Sequence, residues 1–139
     1  MSDTSDCIFC RIVRGEIPSF QLYEDEHSLA FMDINPANQG HALAIPKRHS
    51  ENLFTIDPED LAHTAQAAQR VAIAIHKSLA PAGINLVQAN GPAAGQSVFH
   101  FHMHIMPRIA GDELKLNWGM YPGDMEAIGN LAKRITDAM

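Results

Sequence analysis

The sequence lacks the features that would place it in several large classes of protein. No apolar run approaches the ~20 residues that span a bilayer, so no membrane association is expected. Basic residues are outnumbered: 10 Lys and Arg face 16 Asp and Glu, for a formal net charge of −6. An acidic surface is poorly suited to wrapping the phosphates of a duplex, so no nucleic-acid partner is expected. A small phosphate ligand is still compatible, because one site can be locally electropositive on an acidic chain. Only two cysteines are present, Cys7 and Cys10. A pair spaced so closely makes no disulfide framework; it serves metal or redox chemistry, or sits buried as a small apolar pair. The first six residues are polar and acidic, without the basic and apolar regions of a secretory leader, so the expected location is cytoplasmic.

What is present is the composition of a folded domain, with 46% hydrophobic and 19% charged residues over 139 positions. Residues 1–6 are expected to be a disordered tail and residues 7–139 a single domain. Phe9, Ile12 and Val13 give residues 7–15 the apolar side of a short helix, broken by Gly15 and Pro18. Apolar runs at 20–23, 29–32, 41–45, 84–90 and 98–106, separated by turn residues, predict five strands. Between the third and fourth, Leu61, Ala65, Ala68, Ala72, Ile75 and Leu79 recur at three- and four-residue spacing. This predicts a long helix with Asp57 as its cap and Pro58 in its first turn. A last helix is expected over 124–139, with Met125, Ile128, Leu131 and Ile135 on one side. The expected class is α+β: a five-stranded, mainly antiparallel sheet with one long helix, a short N-terminal helix and a C-terminal helix.

Chemistry concentrates in residues 99–106. On a strand, His100, His102 and His104 share one face, and Phe101, Met103 and Ile105 share the core face. Three imidazoles on one face could hold a catalytic zinc with an open position, or form a phosphate site in which one imidazole attacks. The preceding loop favours phosphate: Gly91 and Gly95 would let backbone amides approach an anion, and Gln96 and Ser97 add neutral donors. A catalytic zinc would want supporting carboxylates, and none lies near this strand in sequence.

Residues 95–106 resemble the signature of the histidine triad superfamily, His-x-His-x-His followed by two apolar residues. Residues 8–18, 30–36 and 40–49 also resemble segments of that family, so the similarity covers roughly residues 7–110. The resemblance implies a nucleotide hydrolase or transferase in which His102 attacks the α-phosphorus and water cleaves the nucleotidyl-histidine. It implies that His104 contacts the phosphate or leaving group, and that Gln96 and Ser97 hydrogen-bond the phosphate or departing atom. Asn90 and Gly95 would line the phosphate site, and Asp33 would hold the ribose hydroxyls. Phe9, Ile12, Phe31, Ile34 and Leu43 would wall the base of a purine nucleotide such as AMP.

Zinc-containing bacterial members of the family imply a structural zinc on Cys7, Cys10, His49 and His100. The family also implies a homodimer. Its phosphoramidase branch, which cleaves adenylated amines, is the expected activity. Cleavage of dinucleoside polyphosphates, nucleotide binding with incidental hydrolysis, and metallohydrolysis on the three histidines stay open as alternatives. His27, His41, His63 and His76 follow no pattern that assigns them a role.

Overall fold

In the computed structural model, residues 6–139 are described. The expected tail therefore lies, apart from Asp6, outside the described residues. In chain order the elements are α1 (Ile8–Val13), β1 (Gln21–Glu24), β2 (Ser28–Met32), β3 (Ala42–Pro46), α2 (Pro58–Leu79), β4 (Gly83–Val87), β5 (Met103–Arg108) and α3 (Met125–Asp137). Two of the three helix starts are set by a capping aspartate. The Asp57 carboxylate caps α2 by accepting from the Glu59 amide, and Asp124 caps α3 by accepting from Glu126 and Ala127.

The five strands form one antiparallel sheet in the order β1-β2-β3-β5-β4. Strand alternation divides the core in two. Ala30, Ala42, Ala44 and Ile105 face α2 and pack on Ala67, Ala68, Val71 and Ile75. Alanine on both sides lets the helix lie close to the sheet. Leu29, Phe31, Leu43 and Ile45 point the other way and pack under Phe9 and its α1 neighbours Ile12 and Val13. The sheet is thus covered by α2 on one face and by α1 on the other. No helix among the described residues is long and apolar enough to cross a membrane.

Two expectations about the strands need correction. The fourth strand ends at Val87 rather than continuing to residue 90. The fifth begins only at Met103, so His100 and His102 lie in the bend that leads into it. Strand alternation therefore explains the outward direction of His104 and the inward direction of Ile105, and does not place the first two histidines. The bend is held by the Phe101 amide donating to the Ser50 carbonyl and by the fully buried Phe101 ring.

Candidate active site

Cross-strand register builds the floor of the site. Phe31 pairs with Leu43, Leu43 with His104, and His104 with Val87, one residue from each of four neighbouring strands. Over this floor lies a cleft of about 350 Å³, lined by His102, His104, Ser97 and Asp33 and walled by Phe9, Ile12, Phe31, Ile34 and Leu43. All five expected wall residues are there, together with Ile17, Pro18 and Val98. A larger groove of about 470 Å³ between β1, β2 and α2 has no histidine, cysteine or carboxylate in its lining. It holds no candidate chemistry.

The proton positions on the histidines follow from their partners. His102 Nδ1 lies 2.7 Å from the His100 carbonyl oxygen. A carbonyl only accepts, so Nδ1 carries the proton and donates it, and Nε2 keeps its lone pair. The Phe9 ring meets the His102 ring edge-on at 5.2 Å and fixes its plane. Burial pushes the His102 imidazole below its ordinary range, against the opposing bond to the His100 carbonyl. The same cause takes His104 down to about 4. Both rings are therefore neutral at pH 7.

His100 turns away from the cleft. Its Nε2–H donates to the Pro46 carbonyl at 2.8 Å, which leaves the Nδ1 lone pair directed at Cys7 Sγ (3.4 Å), Cys10 Sγ (3.5 Å) and His49 Nδ1 (3.2 Å). Cys10 Sγ lies 3.3 Å from His49 Nδ1. In a tetrahedral zinc site the N–N edge is about 3.3 Å and the N–S edge about 3.6 Å, from bonds of ~2.05 and ~2.3 Å. The four side chains expected to hold zinc thus stand together at ligand spacing, and His100 has the tautomer the metal would need. Without a metal, burial and the neighbouring Cys7 push the Cys10 thiol up to about 12.

Asp33, His41 and His104 form a second cluster with metal-ligand potential. Here the same test fails. The Ala37 backbone N–H donates to His41 Nδ1 at 3.1 Å, so the single proton of neutral His41 must sit on Nε2. Nε2 is the atom that faces His104 and Asp33, at 2.9 and 3.5 Å. A metal there would move the proton to Nδ1, against the Ala37 N–H. His41 is the residue at this site to which reading the sequence gave no role. Its signal was parity, since residue 41 lies on the same face of the chain as Leu43 and Ile45.

The expected glycine cradle does not form. The amides of Ala94, Gly95 and Gln96 bond the carbonyls of Gly91 and Pro92 within a tight turn. The Gly91 amide donates to Gln96 Oε1. Gln96 is buried and uses its Nε2 hydrogens on the carbonyls of Glu51 and Val98. Asn90 accepts from the Leu53 amide and pairs with Gln88. Gln96, Asn90 and Gly95 therefore shape the loops around the cleft, and only Ser97 of this segment lines it. The absence of a nearby carboxylate was likewise a feature of the sequence alone, because the fold brings Asp33 beside His41 and His104.

A small α+β chain that offers a neutral, oriented imidazole to a cleft of about 350 Å³, backed by a Cys₂His₂ cluster, defines a class: a histidine-based site. The chain belongs to the HIT domain family, whose domain matches residues 14–111. A crystal structure of a HIT family protein from Bacillus anthracis superposes with a TM-score of 0.90 at 40% identity, over 97% of this chain and 98% of that one. A zinc-bound histidine triad family protein from Mycobacterium smegmatis is 37% identical, with a TM-score of 0.76 over 99% of this chain and 100% of that one. Adenylylsulfatase HINT3 of Arabidopsis thaliana is 43% identical over 78% of this chain and 55% of its own length.

Proposed function

We propose that the protein hydrolyses nucleoside 5′-phosphoramidates, such as adenylated amines, through a covalent nucleotidyl-His102. The observation that carries this reading is the 2.7 Å bond from His102 Nδ1 to the His100 carbonyl, which leaves Nε2 as a free lone pair in the cleft. The apolar walls take the base, and the Asp33 carboxylate accepts from the ribose hydroxyls. His102 Nε2 attacks the α-phosphorus, the phosphorus–nitrogen bond breaks, and the amine leaves with a proton from solvent. The nucleotidyl-imidazolium keeps its Nδ1–H on the His100 carbonyl, which stabilises the positive charge. Water then attacks phosphorus, the bond to Nε2 breaks, and nucleoside monophosphate and a proton depart.

Two further observations support this reading. A cleft of about 350 Å³ is near the small end of ligand pockets, which suits one nucleotide with a small leaving group. The relative named adenylylsulfatase supports an adenylyl group as the part transferred. The test is release of AMP from adenosine 5′-phosphoramidate, adenylyl sulfate and diadenosine tetraphosphate, compared by kcat/KM. The phosphoramidate is expected to lead. A lead for the tetraphosphate would replace the proposed substrate class with the dinucleoside polyphosphates. No turnover of any of the three would leave a binding module.

We infer also that the working form is a homodimer. From Asn117 onward every residue is exposed, including Trp118, Tyr121, Ile128, Leu131 and Ile135. Leu86, on the edge strand β4, is 50% exposed. A helix as short as α3 (13 residues) is marginal in water without packing, so its exposed apolar side chains call for a covering partner. Light scattering at micromolar concentration should give about twice the 15.2 kDa of one chain. A mass of one chain would overturn the inference.

A further inference from the structure

We propose that His41 is a positioning residue that makes His104 a neutral hydrogen-bond donor to the bound phosphate. The chain of bonds starts at the Ala37 backbone. A backbone N–H can only donate, so the 3.1 Å contact from Ala37 N fixes a lone pair on His41 Nδ1 and the proton on Nε2. That proton has two acceptors in reach: His104 Nδ1 at 2.9 Å and Asp33 Oδ2 at 3.5 Å. The shorter contact takes it. His104 Nδ1 is then an acceptor, and the His104 proton stands on Nε2, in the cleft that His104 lines with His102 and Ser97.

The Ala37 amide also bars a second proton from His41, because a proton on Nδ1 would face another N–H. The groups around the pair are Asp33 and His102, and burial disfavours charge on both rings. His104 therefore shares its Nε2 proton with a phosphoryl oxygen and does not surrender it. No proton is transferred in this contact. His41 is buried and reaches the substrate only through His104. Its part in catalysis rests on the phosphate reading above, whereas the tautomer of His104 does not.

The test separates these two levels. Nitrogen-15 correlation spectra of histidine side chains, assigned with His104→Gln, report which ring nitrogen carries the proton. At pH 7 the parent should show His104 protonated on Nε2 alone. His41→Gln keeps a donor near the Nε2 position and should preserve that tautomer. His41→Glu offers only acceptors and should move the His104 proton to Nδ1. The kcat for the phosphoramidate should fall about 10–100-fold in His41→Glu, with KM changed much less, and should recover most of that loss in His41→Gln. A parent His104 protonated on Nδ1, or a His41→Glu variant with its tautomer unchanged, would overturn the proposal. Saturation with AMP should shift the His104 Nε2–H signal even if no substrate turns over. A signal that stays in place would remove the phosphate contact.

Discussion

His102→Ala is expected to lower kcat for AMP release by at least about 10³-fold while nucleotide binding changes by less than about tenfold. The split follows from what the side chain touches. Of the walls of the cleft, Phe9, Ile12, Phe31 and Leu43 are held by packing with Leu29 and Ile45, Ile34 stands exposed at the rim, and Phe9 alone meets the His102 ring edge-on. The ring's own anchors are the His100 carbonyl and the edge of Phe9, and both serve to aim Nε2. Removing the ring leaves space that water can fill, so the residual rate is that of direct water attack at a bound phosphate. Acid-labile, base-stable label retained on the parent after a single turnover, and absent from the variant, would identify the phosphorus–nitrogen bond to His102. Equal turnover in parent and variant would mean that another group attacks. A His102→Ala protein that has also lost AMP binding would assign the ring a role in shaping the cleft instead.

The residues of this site were legible in the sequence to the extent that chemistry is carried by residue type. The apolar run at 41–45 marked a strand, and the division of Ala42 and Ala44 toward α2 from Leu43 and Ile45 toward the cleft face is seen in the fold. The periodicity of α2 gave its length and its cap, because both are local. The glycine loop misled, because a positive φ at Gly91 and Gly95 is needed equally for an anion cradle and for a closed turn. Which of the two forms depends on carbonyls that accept the amides, and those cannot be read from glycines. Asp33 and His41 lie far in sequence from His104, so their contact exists only through the pairing of β2, β3 and β5. The three histidines of the signature read as one set on one strand. In the fold they divide, with His100 turned to the cysteines and His102 and His104 turned to the cleft, because the strand starts after His102.

That division decides what metal removal should do. Zinc would be held by Cys7 and Cys10 from the start of α1, by His49 beyond β3 and by His100 from the triad, four ligands with no open position. When bound it ties the N-terminal helix to the bend that carries the nucleophile; it meets neither His102 nor His104. Protein purified without chelator is expected to contain one zinc per chain, and Cys10→Ser to contain none. Loss of the metal leaves buried, unmatched polar atoms and releases α1, which covers the cleft face of the sheet. The cost should be several kcal/mol, on the order of 10 °C or more in Tm. The His100 carbonyl still holds the His102 Nδ1–H when the fold is intact, so metal-free protein kept well below its lowered Tm should retain measurable AMP release. A catalytic metal predicts the reverse pattern, with Tm little changed and turnover abolished. Atomic absorption that finds no zinc, with Cys10→Ser as stable as the parent, would make Cys7 and Cys10 a buried thiol pair and leave the nucleophile argument as it stands.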